Sequence, residues 1–192
     1  NHPVNVERRT RGDIPATTIW LFWGSGKIPN MPAFKEAYGL DAAMTSGVDI
    51  MRGLARMTGV EVLDIPGVTG DLNNDYAAQA NGALEALEEY DMVIIHVEAT
   101  DEAAHAGLAN KKIEAIQRVD KEIVARLRSW NKDALRMLIL PDHSTPIEVQ
   151  THVAGPVPFM LWGPGFSPMG QRDLRKKKLR AEAFLLRKGI IL

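Results

Sequence analysis

The hydrophobic positions of this chain fall into two patterns that alternate along its length. Short apolar runs rich in β-branched and aromatic residues indicate buried strands. These runs lie at residues 17–23, 40–46, 60–65, 91–97, 135–141 and 157–163. Apolar residues spaced three and four apart, with charged residues between them, indicate amphipathic helices. This spacing occurs at residues 32–39, 47–59, 74–89, 108–130 and 171–189.

The alternation of strand and helix predicts an α/β fold, in which a mostly parallel sheet carries helices on both faces. Residues 1–14 are polar, include Arg8, Arg9 and Arg11, and offer little that could pack in a core. They are predicted to form a flexible N-terminal segment, with one folded domain over residues 15–192. In such sheets, ligands bind beyond the carboxyl ends of the strands.

Composition narrows the classes of function. The chain has 192 residues, with 23 Lys and Arg against 24 Asp and Glu, so its formal net charge is −1. This balance gives no general attraction to nucleic acid or to a membrane surface. The absence of cysteine excludes disulfides and thiolate metal sites. No apolar stretch approaches the roughly 20 residues that span a bilayer. We expect a cytoplasmic protein with neither a nucleic-acid partner nor a membrane partner, in which the run 176–178 of lysines is a solvated helix face.

Histidines and carboxylates are concentrated where two of the predicted strands end. The stretch "HVEATDEAAH" (96–105) begins at the end of one strand, and "PDHSTP" (141–146) begins at the end of another. Four of the five histidines lie between residues 96 and 152. Because the carboxyl ends of parallel strands meet at one edge of a sheet, these side chains are expected to converge. Asp101 and His105 are four apart, so they face the same way if the chain turns into a helix there.

The residue types at this edge suit a metal site. Carboxylate and imidazole together favour Mn, Zn or Fe, and the candidate ligands are Asp101, His105, Asp142, His143 and His152. Each of these residues, taken alone, is equally well explained as a helix cap or as a hydrogen-bonding loop residue. Only their convergence favours a metal site. His96 precedes the bend and is predicted to be a packed histidine. His2 lies in the polar N-terminal segment and is predicted to be uninvolved.

The number of candidate ligands indicates two metals. Five ligands exceed the three protein ligands of an open catalytic zinc, yet they are too few to hold two metals about 3.5–4 Å apart. The chain is therefore predicted to supply part of a two-metal site. Phosphoryl or sulfuryl transfer is the chemistry that such a site favours.

Three stretches carry a resemblance to a known family. "HVEATDEAAHAG" (96–107), "PDHSTP" (141–146) and "THVAGPVPFMLWG" (151–163) resemble the C-terminal metal-binding segments of archaeal-type cofactor-independent phosphoglycerate mutases, members of the alkaline phosphatase superfamily. The likeness extends from about residue 15 to residue 166. It implies an alkaline-phosphatase-like fold and a reaction of glycolysis and gluconeogenesis, which interconverts 3-phosphoglycerate and 2-phosphoglycerate through a phosphoserine intermediate.

The resemblance also assigns roles to residues. It implies that Asp101, His105 and His152 hold one divalent metal and that Asp142 and His143 contribute to a second, with Mn or Zn as the metals. It places Lys27 of "WGSGK" (23–27) near the phosphate that is transferred, although a solvated loop lysine is an equal alternative.

Two departures from the family limit what can be carried over. Ala104 stands where the family usually has glycine, which could crowd a turn if that position needs a positive φ. The nucleophilic serine and one aspartate ligand come from an N-terminal segment of the family that has no counterpart in this sequence. Ser144 is predicted to cap its own loop rather than to act as the nucleophile. Residues 15–192 thus correspond to the C-terminal part of the catalytic domain, and this chain alone is predicted to have little or no mutase activity.

Two alternatives to the mutase remain open. One is a metal-dependent phosphohydrolase or phosphotransferase of the same superfamily, because the metal ligands do not decide whether water or glycerate accepts the phosphate. The other is a non-catalytic metal-binding domain, since the nucleophile is absent from the chain.

Overall fold

The computed structural model describes residues 2–21, 24, 26–130 and 135–166, together with the backbone of residues 189–191. The chain divides into two compact units, Asn1–Asn30 and Met31–Leu192. The first unit contains helix α1 (Pro3–Thr10), whose N-terminus is capped by the side chain of His2. α1 has no buried residue. The domain boundary predicted after residue 14 stays a prediction.

The strand predicted at residues 17–23 is wrong over the part that the structure describes. Residues 17–21 are not a strand, and Ile19, Trp20 and Leu21 are 86%, 78% and 89% exposed. Residues 22 and 23 lie outside the described residues. A β-branched and aromatic run forms a strand only when a neighbouring strand pairs with it and its apolar face is covered, and residues 17–21 have no strand partner among the described residues.

The larger unit is built on a sheet that has six strands among the described residues. The strands are β1 (Ala42–Thr45), β2 (Glu61–Val62), β3 (Met92–Ile95), β4 (Arg136–Ile139), β5 (Met160–Trp162) and β6 (Gly189–Ile191). Their order is β2-β1-β3-β6-β4-β5. All neighbours are parallel except β5, which runs antiparallel to β4. The mostly parallel sheet expected from the sequence is confirmed, with strands shorter than the apolar runs that predicted them.

The larger unit has six α-helices among the described residues. They are α2 (Phe34–Tyr38), α3 (Asp49–Met57), α4 (Tyr76–Ala86), α5 (Ala99–His105), α6 (Ala109–Arg118) and α7 (Ala125–Arg128). Five of them lie within segments that the sequence predicted to be helical, whereas the helix that carries Asp101 and His105 was predicted only conditionally. α6 continues into α7 through a π-helical turn at Val119–Val124, so together they form the helix predicted at 108–130. In the part of the chain that is described, no helix combines the length and the apolar character needed to cross a membrane.

The last predicted helix, residues 171–189, is corrected at its end. Residues 171–188 lie outside the described residues, and Gly189 belongs to β6. β6 pairs in parallel with β3 on one side and with β4 on the other. Hydrogen bonds to two neighbouring strands stabilise an extended backbone at Gly189. The local spacing of apolar residues carries no information about this pairing, so it predicted a helix instead.

Apolar side chains cover both faces of the sheet. One core lies between the sheet and helices α4 and α7 and includes Ala43, Val93 and Leu127. The other lies toward α2 and α3 and includes Met44 and Ala55. Ala43 and Met44 are adjacent in β1 and enter different cores, because successive side chains of a strand point to opposite faces. The carboxyl ends of the strands are therefore held at one edge by helices on both sides.

Candidate metal centre

The five candidate ligands lie beyond the carboxyl ends of β3 and β4. α5 begins four residues after β3 ends and carries Asp101 and His105. Asp142 and His143 follow β4. His152 lies in the loop that an antiparallel bridge between Ser144 and Val153 closes, in which the Val153 amide donates to the Ser144 carbonyl at 2.9 Å. Because β3 and β4 both pair in parallel with β6, their carboxyl ends open at the same edge.

Three ligand atoms form a small triangle at this edge. Asp101 Oδ2 lies 3.0 Å from His105 Nε2 and 3.6 Å from His152 Nε2. The two Nε2 atoms are 3.0 Å apart. A zinc ion bound tetrahedrally at 2.0–2.1 Å separates its ligands by about 3.3 Å, so the triangle has the size of one face of a metal coordination shell. The side chains present therefore fit a divalent metal.

Of the other two candidates, His143 lies against this triangle and Asp142 contacts His143. The rings of His143 and His152 have their centroids 3.7 Å apart. His143 Nε2 is 3.2 Å from Asp142 Oδ2, and the Asp142 side chain is 73% exposed. Asp101, His143 and His152 offer one ligand atom each, all within 4.8 Å of one another. The structure thus brings all five candidate ligands into one group, here called the carboxylate–histidine cluster.

A backbone carbonyl orients His105. His105 Nδ1 lies 2.8 Å from the carbonyl oxygen of Gln150, and a carbonyl can only accept a hydrogen bond. Nδ1 of His105 therefore carries a proton, so Nε2, which faces Asp101 and His152, is the ring nitrogen that a metal could bind. Gln150 has a φ of 54°, and among the described residues it is the only one other than glycine with a positive φ. This conformation is unfavourable for a residue with a side chain, and sequence reasoning did not single out Gln150.

The strained position of Gln150 gives a first prediction. Glycine at position 150 should make the chain more stable than alanine there by about 1 kcal/mol, because glycine adopts a positive φ without a steric penalty. Both variants keep the carbonyl that accepts from His105, so both should retain the metal affinity of the unchanged chain within about twofold. Urea denaturation in EDTA measures the stability, and calorimetric titration with Mn²⁺ or Zn²⁺ measures the affinity. Equal stability of the two variants would contradict a strained backbone at residue 150.

Thr145 is a second residue of the site that sequence reasoning missed. It is 4% exposed, its hydroxyl donates to Asp101 Oδ1, and the same oxygen is 3.2 Å from His143 Nδ1. The ammonium group of Lys112, on α6, donates to the Thr145 carbonyl at 2.8 Å. The only sequence signal for Thr145 is its place in "PDHSTP", two residues after a candidate ligand.

The cluster favours a charged Asp101. Burial alone would raise the pKa of this carboxyl, but the hydrogen bond from Thr145 and the three neighbouring histidines outweigh that effect, and the pKa is lowered. Glu98, one turn earlier in the chain, differs. Burial, and then the charge of Asp101, raises the pKa of Glu98. The surroundings thus lower the pKa of the Asp101 carboxyl and raise the pKa of the Glu98 carboxyl.

His96 lies beside the cluster and is packed, as the sequence predicted. Its Nδ1 is 3.0 Å from Ser46 Oγ, and its Nε2 is 3.5 Å from Glu98 Oε2. Burial lowers the pKa of His96, although the charges of Asp142 and Asp101 oppose the shift. This histidine joins the ends of β1 and β3, because Ser46 follows the first strand and His96 follows the second.

Three further residues can now be placed. Ala104 lies inside α5 and is completely buried, so alanine meets no requirement for a positive φ there. Ser144 takes part in the backbone bridge to Val153, and its role as a loop cap stays a prediction. Lys27 is an exposed residue of the N-terminal unit, and its role near a phosphate also stays a prediction.

Comparison with known proteins identifies relatives across most of the chain. The sequence pattern of the Metalloenzyme superfamily matches residues 2–187. The 2,3-bisphosphoglycerate-independent phosphoglycerate mutase of Methanothrix thermoacetophila is 47% identical over 167 residues, which cover 85% of this chain and 42% of the relative. The protein named 2,3-bisphosphoglycerate-independent phosphoglycerate mutase 2 of Methanothermobacter thermautotrophicus is 48% identical over 166 residues, covering 86% of this chain and 41% of the relative. The chain thus spans less than half the length of these curated relatives.

Solved structures agree with the fold. A protein from Pyrococcus horikoshii matches with a TM-score of 0.71 and 33% identity, covering 86% of this chain and 48% of its own. A cofactor-independent phosphoglycerate mutase from Thermoplasma acidophilum matches with a TM-score of 0.55 and 23% identity, covering 87% of this chain and 38% of its own. At 23% identity, the second match supports the fold alone.

Proposed function

The chain belongs to the Metalloenzyme superfamily, and we propose that it is the C-terminal, metal-binding part of a 2,3-bisphosphoglycerate-independent phosphoglycerate mutase. The proposed reaction interconverts 3-phosphoglycerate and 2-phosphoglycerate. The observation that carries this proposal is the triangle of ligand atoms from Asp101, His105 and His152, which has the size of a metal coordination shell. The names of the relatives supply the substrate, and the ligand cluster supplies the class of chemistry.

Membership of the superfamily implies a divalent metal, and the cluster indicates which side chains would hold it. Asp101, His105 and His152 would bind one ion, and Asp142 and His143 would contribute to a second, with Mn²⁺ or Zn²⁺ as the proposed metals. When bound, such a pair of ions stabilises the attacking and leaving oxygens of a phosphoryl transfer. The remaining ligands of the second ion, and the serine nucleophile, would come from a part of the protein outside this sequence.

The side chains of this chain prepare the site by fixing charge and protonation. The lowered pKa of Asp101 keeps its carboxylate ionised, and the Gln150 carbonyl keeps the proton of His105 on Nδ1. We propose that Lys27 neutralises part of the charge on the transferred phosphate, as a positioned cation does in phosphoryl transfer. In the proposed reaction, glycerate is both the leaving group and the acceptor of the phosphate, so the reaction is an isomerisation.

The proposal predicts that metal binding and catalysis separate in this chain. We expect the isolated chain to bind Mn²⁺ or Zn²⁺ through the three-residue site, and to show little or no interconversion of the two phosphoglycerates. Calorimetric titration measures binding, and a coupled enolase assay measures the mutase reaction. Failure to bind either metal would contradict the proposed ligand set. Turnover by the isolated chain would mean that the nucleophile lies within these residues and would direct attention to Ser144.

A further inference from the structure

We propose that Thr145 is a positioning residue that connects the two proposed metal sites, an inference that rests on the proposed function. Its hydroxyl contacts Asp101, a proposed ligand of one ion, and His143, a proposed ligand of the other. Through these two contacts, Thr145 fixes both the orientation of the carboxylate and the position of the proton on the imidazole.

The hydrogen-bond count determines the direction of each contact. A threonine hydroxyl has one proton to donate and lone pairs with which to accept. Since that proton goes to Asp101 Oδ1, the oxygen can only accept from His143 Nδ1, which lies 3.2 Å away. Nδ1 of His143 must then carry a proton, so Nε2, which lies 3.2 Å from Asp142 Oδ2, is the nitrogen of this ring that a metal could bind.

The same contact divides the work of the Asp101 carboxylate. Oδ1 accepts from Thr145, whereas Oδ2 faces His105 and His152 in the ligand triangle. A carboxylate held by one oxygen cannot rotate freely, so the other oxygen stays directed at the metal position. Hydrogen bonds of this kind orient ligands and typically change metal affinity by about 10- to 100-fold.

Thr145 is itself held in place from two sides. Lys112 of α6 donates to its carbonyl at 2.8 Å. The preceding residue, Ser144, pairs with Val153 in the bridge that closes the loop of His152. The hydroxyl is therefore presented by a buried and braced backbone, and not by a free loop. A threonine that merely filled space would need its methyl group here, and its hydroxyl would be dispensable.

Two substitutions separate the hydroxyl from the methyl group. Thr145→Val keeps the shape of the side chain and removes the hydroxyl, whereas Thr145→Ser keeps the hydroxyl and removes the methyl group. We expect Thr145→Val to weaken binding of Mn²⁺ or Zn²⁺ by about 10- to 100-fold and Thr145→Ser to stay within about threefold of the unchanged chain. Calorimetric titration measures both, and thermal unfolding in EDTA reports any loss of fold. Equal losses in the two variants, or no loss in Thr145→Val, would overturn the proposal.

A spectroscopic measurement tests the same inference without a variant. The ¹⁵N shifts of the His143 ring at pH 8, in the metal-free chain, should show the proton on Nδ1. An Nδ1 without a proton would overturn the inference even if Thr145→Val failed to fold. This readout is independent of metal binding and of turnover. A chain with the expected tautomer that binds no divalent metal would contradict the proposed function while leaving the contact of Thr145 with His143 intact.

Discussion

Replacing Asp101 by asparagine should lower the affinity of the chain for Mn²⁺ or Zn²⁺ by on the order of 100-fold or more. This loss is larger than the loss expected when a ligand only loses an orienting hydrogen bond. Asparagine has the shape of aspartate but no charge, and one of its two terminal atoms is a donor that cannot bind a metal. A charged oxygen is needed at this position because Asp101 Oδ2 lies within 3.6 Å of both His105 Nε2 and His152 Nε2. A neutral group there leaves the two imidazoles without the only carboxylate of the triangle.

The matched control is Glu102→Gln. Glu102 is the next residue of α5 and is exposed, so the substitution removes the same kind of charge from the same helix without touching the triangle. We expect its metal affinity to stay within about threefold of the unchanged chain, as weakly coupled surface charges change little. Calorimetric titration of both variants, with circular dichroism to confirm the fold, makes the comparison. Equal affinities of the Asp101 and Glu102 variants would exclude the proposed ligand set.

The substitution Gly47→Ala should destabilise the chain by about 3 kcal/mol or more, at or beyond the upper end of what overpacking usually costs. Gly47 lies two residues after β1, and a Cβ there would be 2.0 Å from the carbonyl carbon of Thr69 and 2.3 Å from the amide nitrogen of Gly70. Both are backbone atoms, which cannot move aside as the end of a flexible side chain can. The loop would have to shift as a whole.

That loop is connected to the end of β3 by hydrogen bonds of two buried side chains. The Thr69 amide donates to Asn74 Oδ1, Asn74 donates to Gln79, and Gln79 donates to the carbonyl of His96. Asn74 and Gln79 are both buried. Displacing Thr69 therefore disturbs a chain of hydrogen bonds that reaches the end of β3, the strand that precedes two of the candidate ligands. Buried groups that lose their partners cost about 1–3 kcal/mol.

Gly53→Ala is the control for the substitution at Gly47. Gly53 lies in the interior of α3, and a Cβ there would have no atom within 4 Å. Alanine should stabilise the chain by about 0.5–1 kcal/mol, since glycine is a poor helix residue. Urea denaturation in EDTA compares the two variants. A Gly47→Ala chain as stable as the parent would show that Thr69 and Gly70 do not lie against Gly47 as described.

The sequence predicted the centre of the fold better than its margins. β3 followed from "DMVII" because a strand buried on both faces is a continuous apolar run, and both adjoining cores contain its residues. Residues 17–21 have the same kind of composition and form no strand, since pairing partners are a property of the whole fold. β6 was missed for the converse reason. Its three residues are too few for a pattern, and its place between β3 and β4 comes from tertiary pairing.

The convergence of the candidate ligands was predictable for a different reason. Asp101, His105, Asp142 and His143 carry chemistry in the residue type and follow strands whose ends meet in a parallel sheet. The residues that orient them carry no such signal. Gln150 acts through its backbone carbonyl, which every residue possesses, and Thr145 acts through a hydroxyl whose commonest use in a loop is local hydrogen bonding. Only their distances to the ligands reveal them.

The most direct test of the central claim is the reaction of the native gene product, at its full length, on 3-phosphoglycerate with Mn²⁺, followed for 2-phosphoglycerate and for free phosphate together. The account predicts formation of 2-phosphoglycerate without release of phosphate, and loss of this activity in the Asp101→Asn protein but not in the Glu102→Gln protein. Release of phosphate without isomerisation would identify a phosphohydrolase, and mutase activity that survives Asp101→Asn would contradict the proposed metal centre.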